Sequence, residues 1–235
     1  MKQLIEALED MGLTYGEDTL QKFQRYMELI LEWNEKVNLT SITEPDEFVK
    51  KHYVDSIAIC GFSQMKEAQN IIDVGTGAGF PGIPLAILYP DKKFLLMDSL
   101  NKKIKIIDEI AQEIGLRNVT CCHGRAEELA QNKKYREQFD LCVSRAVANL
   151  TVLSEYCLPF VRAGGWFAAY KTEAAAELKE SLHAIELLGG HLEENLSINI
   201  KGYDLDHRII FIKKVKKTLS KYPRKAGTPA KEPLK

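Results

Sequence analysis

Two hydrophobic periods divide the chain, and the change between them falls about one third of the way along. Over residues 18–37, apolar side chains recur at steps of three and four, which predicts an amphipathic helix. Thr14 and Glu17 have the spacing of a capping box ahead of this helix. Pro45 predicts the start of another helix. These patterns predict an N-terminal helical cap over residues 1–62.

After the cap, short apolar runs alternate with helical patterns. The predicted strands are Asn70–Val74, Lys93–Asp98, Val119–His123, Phe139–Ser144, Gly165–Lys171, 192–200 and Arg208–Val215. The predicted helices between them are Ile83–Tyr89, Asn101–Ile114, Asn149–Phe160 and Glu173–Leu188. Apolar strands that alternate with helices are typical of a parallel sheet covered on both faces. The sequence therefore predicts a doubly wound α/β core over residues 63–216, followed by a basic tail over residues 217–235.

The bulk composition is that of a globular protein. Of 235 residues, 45% are apolar and 28% are charged. We expect no membrane span, because no apolar run reaches the ~18 residues that one needs. The N-terminal segment carries three acids and does not resemble a signal peptide. The five cysteines lack metal-type spacing, so we expect reduced thiols, a cytoplasmic location and no metal site.

The net charge of −1 hides a strong asymmetry. Residues 213–235 contain nine Lys or Arg and one acid, so their net charge is +8 against −9 for the rest. A basic arm on an acidic body predicts a polyanionic partner, although a merely solvated tail is the alternative. Prolines and glycine in the tail disfavour a helix, so we expect the tail to be extended and to order on its partner.

A glycine-rich turn follows the first predicted strand, where open parallel sheets bind their ligands. Its sequence is Asp73-Val74-Gly75-Thr76-Gly77-Ala78-Gly79. The dinucleotide fingerprint requires glycine at the next position, which is Phe80 here, and this argues against a nicotinamide-dependent oxidoreductase. An acid before the turn suits a cationic ligand better than a pyrophosphate. Asp98, at the end of the second predicted strand, can accept hydrogen bonds from ribose hydroxyls.

Several segments together resemble one protein family. They are GTGAGFPGIPLAI (75–87), DSLNKK (98–103), Arg125-Ala126-Glu127, Ser144-Arg145-Ala146, EWNEKVNLT (32–40) and KYPRKAGTP (221–229). With them, the sequence is similar to the glucose-inhibited division protein B family, bacterial 16S ribosomal RNA guanine-N7 methyltransferases. The similarity runs from about residue 20 to the C-terminus. It implies a class I methyltransferase fold: a Rossmann-like, doubly wound sheet, mostly parallel with an antiparallel late strand.

The resemblance also implies the site. S-adenosylmethionine is the expected cofactor. The residues expected to bind it are Gly75, Gly77 and Phe80 at the methionyl end, Asp98 at the ribose, Ala126 and Glu127 at the adenine, and Arg145 between cofactor and base. Arg145 could instead simply pair with an acid such as Glu127. The implied target is guanine N7 in the decoding-region loop of 16S rRNA.

The sequence lacks the motifs of two other classes of nucleic-acid methyltransferase, which agrees with methylation at N7. The fourth strand is not followed by the Asn/Asp-Pro-Pro-aromatic turn that exocyclic-amine methyltransferases need, and Cys142 lies in mid-strand as a packed residue rather than a nucleophile. Guanine N7 already presents a lone pair in the ring plane. In-line transfer then needs no general base, and positioning can contribute roughly 7–11 kcal/mol.

The expected partner is 16S rRNA or the small ribosomal subunit, with a monomeric enzyme favoured. Five candidate RNA-binding residues are Lys221, Arg224, Lys225, His52 and Lys171. A core role for His52 and a solvated Lys171 are the alternatives. A truncation at residue 217 is expected to reduce RNA methylation much more than cofactor affinity. An RNA-associated S-adenosylmethionine sensor without turnover, or methylation of a small molecule or protein, also fits the sheet.

Overall fold

A seven-stranded sheet forms the centre of the molecule. The computed structural model describes residues 1–172, 175–198, 200 and 208–234, and the strand count refers to these residues. The strands are β1 (Asn70–Val74), β2 (Lys93–Asp98), β3 (Val119–His123), β4 (Phe139–Arg145), β5 (Val161–Lys171), β6 (Gly190–Ser197) and β7 (Arg208–Lys214). Their order is β3-β2-β1-β4-β5-β7-β6, and β7 runs antiparallel to both neighbours. The predicted fold class is confirmed.

The helices cover both faces of this sheet. They are α1 (Lys2–Asp10), α2 (Glu17–Asn34), α3 (Pro45–Phe48), α4 (Asp55–Ile57), α5 (Ser63–Glu67), α6 (Gly82–Leu88), α7 (Asn101–Glu113), α8 (Ala126–Leu129), α9 (Leu150–Cys157), α10 (Ala175–Leu187) and α11 (Thr228–Lys231). A π-helical segment, Val49–Val54, joins α3 to α4, and 3₁₀ turns occupy Ala58–Gly61 and Leu158–Phe160. In the described part of the chain, no helix is both long and apolar enough to span a membrane.

The predicted element boundaries hold best in the first three strands, which begin and end where predicted. Strand β5 starts four residues earlier than predicted, because Val161 pairs with Phe139 before an irregularity in the ladder. Strand β6 starts at Gly190, two residues before its predicted start, and ends at Ser197. The predicted first residue of α10, Glu173, and residue 199 of the late strand lie outside the described residues.

The start of α2 differs from the prediction. The predicted capping box is wrong, because Glu17 is the first residue of the helix and Gly16 is its N-cap. The Gly16 amide donates to Thr19 Oγ1 (3.3 Å). At the next helix the predicted Pro45 start is correct, and Glu44 is the cap, since its Oε2 accepts from the Glu47 amide (2.9 Å).

The helical cap shares one hydrophobic core with the first face of the sheet. Phe48 and Tyr53 are fully buried there, and each contributes about 1.5–3 kcal/mol by leaving water. The Tyr53 hydroxyl donates to Phe23 O (2.6 Å), and the Tyr26 hydroxyl donates to Ala78 O (2.5 Å) in the glycine turn. The cap is therefore fixed directly against the predicted ligand site.

The expectation of an extended tail is wrong. The Arg136 guanidinium donates to the carbonyls of Thr218, Leu219 and Tyr222 (2.9–3.1 Å). Tyr222 is buried in the core on the second face of the sheet. Contacts that are distant in sequence thus satisfy several backbone carbonyls of the tail, and a short helix, α11, forms with Pro229 in its first turn, where proline is tolerated.

Candidate functional site

The glycine turn opens at the carboxyl end of β1 with the backbone geometry that its glycines permit. Gly75, Gly77 and Gly79 have φ values of +75°, +60° and +94°, a region that side-chain-bearing residues rarely adopt. The Gly77 amide donates to Asp98 Oδ2 (3.0 Å), so the end of β2 is tied to the turn. Asp98 therefore lies beside the loop, as the sequence predicted.

Asp73 lies buried directly beneath this turn. Its Oδ2 accepts from Thr76 Oγ1 (2.7 Å) and from the Gly82 amide (2.9 Å). Among the described residues, its Oδ1 has no hydrogen-bond partner. Burial raises the pKa of this carboxyl from 3.8 to about 6. A buried negative charge under the loop favours a cationic ligand above it.

A cavity of about 500 Å³ opens above the turn, at the carboxyl ends of β1, β2 and β4. This volume is in the range of small-molecule sites. All seven predicted cofactor residues line it: Gly75, Gly77, Phe80, Asp98, Ala126, Glu127 and Arg145. His52 lines it too, whereas Lys171 and the three basic residues of the tail do not. The sequence missed other lining residues, including Leu39, Val147 and Tyr156.

The wall opposite the turn comes from the segment after β4. A Cβ atom built on Gly75 would lie 2.4 Å from Val147 Cγ2, so the Val147 side chain leaves no room for a side chain on Gly75. Ala146, between β4 and this valine, has φ +57°. Val147 directly follows the Ser144-Arg145-Ala146 motif, and this adjacency is the signal that could have identified it.

Arg145, the last residue of β4, is held by the cap rather than by Glu127. Its Nη1 donates hydrogen bonds to Asp55 Oδ2 (2.6 Å) and to Lys51 O (2.9 Å). Nη2 lies 3.1 Å from His52 Nδ1. The side chain of Asp55 is fully buried and that of Arg145 is 15% exposed, so this is a nearly dry ion pair. The suggestion of Glu127 as partner is corrected to Asp55.

His52 is a structural neighbour of this arginine. Its ring stacks on Phe80 with 4.3 Å between the ring centroids and 9° between the planes. The Arg145 guanidinium carbon lies 5.2 Å from the centroid of the Phe80 ring. Burial and then the positive charge of Arg145 lower the His52 pKa to about 3. The neutral ring accepts from Arg145 at Nδ1, which places its proton on Nε2, toward Thr40 Oγ1 (2.7 Å).

The π-helical segment explains why these groups meet. A π turn is wider than an α turn and is frequent at functional sites. Here the segment holds Lys51 and His52 and runs directly into Asp55. All three face the end of β4, about ninety residues further along the chain. Local sequence patterns give no signal for such a contact.

The side chains of three of the five candidate RNA-binding residues bond to other groups of the protein. His52 is buried as described. Lys171 Nζ donates to Ala148 O (2.6 Å) and Glu177 Oε1 (2.8 Å). Arg224 Nη2 donates to Glu155 Oε2 (2.7 Å). Lys221 and Lys225 are exposed. RNA contact is therefore retained as a proposal for these two lysines.

Metal and thiol chemistry find no support in the described residues. In that part of the chain, no group of three His, Cys, Asp or Glu side chains is arranged to hold a metal ion. Cys142 is fully buried in β4, as predicted, and burial raises the pKa of its thiol. A buried thiol with a raised pKa is a poor nucleophile.

Solved structures that share this fold include an O-methyltransferase and a protein with bound S-adenosyl-L-methionine. An O-methyltransferase from Bacillus cereus in complex with SAH matches with a TM-score of 0.55 at 20% identity, covering 80% of this chain and 90% of that one. Aeropyrum pernix fibrillarin with natively bound S-adenosyl-L-methionine matches with a TM-score of 0.54 at 14% identity, covering 70% and 75%. These likenesses show the class I methyltransferase fold.

The family follows from sequence similarity. The sequence model of the GidB family, described as rRNA small subunit methyltransferase G, matches residues 19–202. A ribosomal RNA small subunit methyltransferase G from Clostridium tetani is 50% identical over 233 residues, covering 99% of this chain and 98% of the relative. One from Alkaliphilus metalliredigens is 46% identical over 233 residues, with the same coverage. The chain belongs to this family.

Proposed function

We propose that this protein transfers the methyl group of S-adenosylmethionine to N7 of one guanine in the 16S rRNA of the small ribosomal subunit, in the cytoplasm. The observation that carries the proposal is the cavity that gathers all seven family cofactor positions. The names of the relatives support small-subunit rRNA as the substrate. The N7 position and the decoding-region loop are inferred from the family resemblance.

The residues around the cavity suit a cationic nucleoside. S-adenosylmethionine, when bound, supplies an electrophilic methyl group on a sulfonium. The turn from Gly75 to Gly79 gives close backbone approach, and the cradle between Gly75 and Val147 has no room for a side chain. Asp73 contributes negative charge from below, and Asp98 is placed to accept from the ribose.

Arg145 is the residue that we propose to orient the base or the donor carboxylate. A guanidinium carries five N–H donors, and the contacts with Asp55, Lys51 and His52 use three of them. Asp55 also balances the positive charge of Arg145. This balance matters because N7 methylation places positive charge on the guanine ring, which an unpaired arginine would oppose.

No general base is needed for this transfer, and His52 is not placed to act as one. Both of its ring nitrogens are engaged, with Thr40 and with Arg145. Guanine N7 attacks through a lone pair, so no proton has to leave before the new bond forms. Catalysis then depends on alignment of the two reactants.

The proposal is tested by incubating the purified protein with tritiated S-adenosylmethionine and 16S rRNA or small subunits that lack the modification. The expected product is 7-methylguanosine at one position. Binding of the donor without transfer would instead favour an RNA-associated sensor. Transfer to another atom or nucleoside would contradict the N7 assignment.

Replacing Asp73 by asparagine should stabilise the ligand-free protein and weaken donor binding. Because the folded pKa of about 6 lies above the ordinary 3.8, the folded state binds the proton more tightly, and stability falls as pH rises through this range. Asp73→Asn should remove that slope and raise the free energy of unfolding by about 1–2 kcal/mol at pH 7.5. Urea denaturation at several pH values measures this.

The same variant tests the role of the Asp73 charge. Its affinity for S-adenosylmethionine should fall more than its affinity for SAH, which lacks the sulfonium charge. Calorimetry with both ligands measures the ratio. Equal losses for the two ligands would show that the charge does not select the cation.

Replacing Lys221 and Lys225 by alanine should weaken RNA binding and reduce its salt dependence. Removing one lysine–phosphate interaction should make the slope of log affinity against log salt shallower by about 0.7–0.9. Lys2→Ala, which removes an exposed lysine of α1, is the control. Filter binding at several salt concentrations measures the slopes, and identical slopes in all variants would exclude these lysines from RNA binding.

A further inference from the structure

Glu127 connects the donor cavity to the tail. It lies in α8, the short helix after β3, where it is 6% exposed and lines the cavity. Its Oε1 accepts from the Gly227 amide (2.8 Å), a hundred residues further along the chain. A buried carboxylate is costly unless hydrogen bonds satisfy it. The tail therefore supplies part of what makes this acid tolerable in the cavity wall.

The Gly227 amide is held in place by a strong anchor three residues before it. The Arg224 backbone amide, Nε and Nη2 all donate to the Glu155 carboxylate (2.7–3.2 Å). The Glu155 side chain is 1% exposed. Its neighbour in α9, Tyr156, lines the donor cavity. The anchor thus joins the tail to the same side of the site.

Further contacts fix the tail before this anchor. The Gln131 side chain donates to Ser220 O (3.3 Å) and Pro223 O (2.9 Å). Gln131 and Arg136 both lie in the segment that joins α8 to β4. Together with the burial of Tyr222, their hydrogen bonds attach the tail to this segment. The direction of the Gly227 N–H is therefore set by the fold rather than by a fraying terminus.

We propose that residues 224–231 are a positioning element of the donor site, which holds Glu127 in place and thereby sets donor affinity. This goes beyond the RNA-docking role expected for the tail, and it rests on the proposed function only for the identity of the donor. It also changes the outcome expected of the truncation at residue 217, which should now reduce cofactor affinity as well as RNA methylation.

The test uses the full chain without RNA. Arg224→Ala releases the anchor, whereas Lys217→Ala removes an exposed charge of the tail outside residues 224–231 and leaves the anchor intact. Loss of a hydrogen bond to a charged group predicts that Arg224→Ala weakens SAH binding about 10-fold in calorimetry, while Lys217→Ala stays within about 2-fold. Equal affinity of the two variants for SAH would overturn the proposal.

A second comparison shows whether the anchor acts through Glu127. In a Glu127→Ala background, adding Arg224→Ala should cause little further loss of SAH affinity, because the residue that it positions is gone. A full additional 10-fold loss would contradict this route. Glu128→Ala, at the exposed neighbour, is the matched control for the Glu127 change.

Hydrogen exchange keeps the proposal testable if Arg224→Ala fails to fold. In the unmodified protein, saturating SAH should slow exchange of the Gly227 amide, because binding and this hydrogen bond stabilise each other. Unchanged exchange at Gly227 would overturn the proposal. These SAH measurements need no methyl transfer, so a failure of the proposed rRNA methylation would leave them interpretable.

Discussion

Replacing Asp55 by alanine should lower the free energy of unfolding by about 3–5 kcal/mol, the cost of leaving a buried charge without its partner. Asp55 is fully buried and its partner Arg145 nearly so, at an Nη1–Oδ2 distance of 2.6 Å. Without the carboxylate, the guanidinium stays among Phe80, His52 and the cap without its ion-pair partner. Urea denaturation at pH 7 measures the loss.

The control is an exposed ion pair of the same length. Glu47 and Lys51 also lie 2.6 Å apart, but both side chains are about half exposed. Water screens such pairs, so Glu47→Ala should leave the free energy of unfolding nearly unchanged. The double variant Asp55→Ala/Arg145→Ala should be less destabilised than the sum of its single variants. A loss below about 1 kcal/mol for Asp55→Ala would contradict the buried-pair account.

Replacing Gly75 by alanine should reduce SAH affinity at least about 30-fold. Two costs combine in this variant. Alanine at φ +75° costs about 1–2 kcal/mol, and its Cβ would meet Val147 Cγ2 at 2.4 Å, so the Val147 side chain has to shift. Both residues line the donor cavity, so this shift changes the surface that we propose SAH contacts. Calorimetry with SAH measures the change.

Two further variants separate these costs. Gly115→Ala has a similar φ of +73° with nothing within 4 Å of the added Cβ, so it should lower stability without changing SAH affinity. Gly75→Ala/Val147→Ala should recover the part of the affinity that the clash removes. If Gly75→Ala binds SAH within about 3-fold of the unmodified protein, the proposed cradle is wrong.

The central sheet could be predicted from the sequence because its signal is local. Strands β1 and β2 are short apolar runs with turn residues on either side, and their own composition indicates that they are buried. The tail shows the opposite case. Its prolines and charges predict disorder, but Arg136 and the pocket for Tyr222 come from elsewhere in the chain. Tertiary contacts decide its structure.

The candidate site divides in the same way. The glycine turn and Asp98 follow consecutive strands, so the rule that ligands bind at the carboxyl ends of parallel strands places them together. The Asp55–Arg145 pair joins the cap to β4 across ninety residues, and no local pattern indicates it. Charge alone suggests exposure and RNA binding for Lys171 and Arg224, yet each has a carboxylate partner within the protein.

Mass spectrometry of ribosomal RNA nucleosides tests the proposed activity most directly. Cells with the gene and cells without it would be compared, and the 16S rRNA digested to locate any difference. The expected result is 7-methylguanosine at one 16S position, absent from the deletion strain and restored by the unmodified gene but not by Arg145→Ala. If the 16S rRNA of both strains contained 7-methylguanosine at the same positions, the assignment of this protein as the N7 methyltransferase would be contradicted.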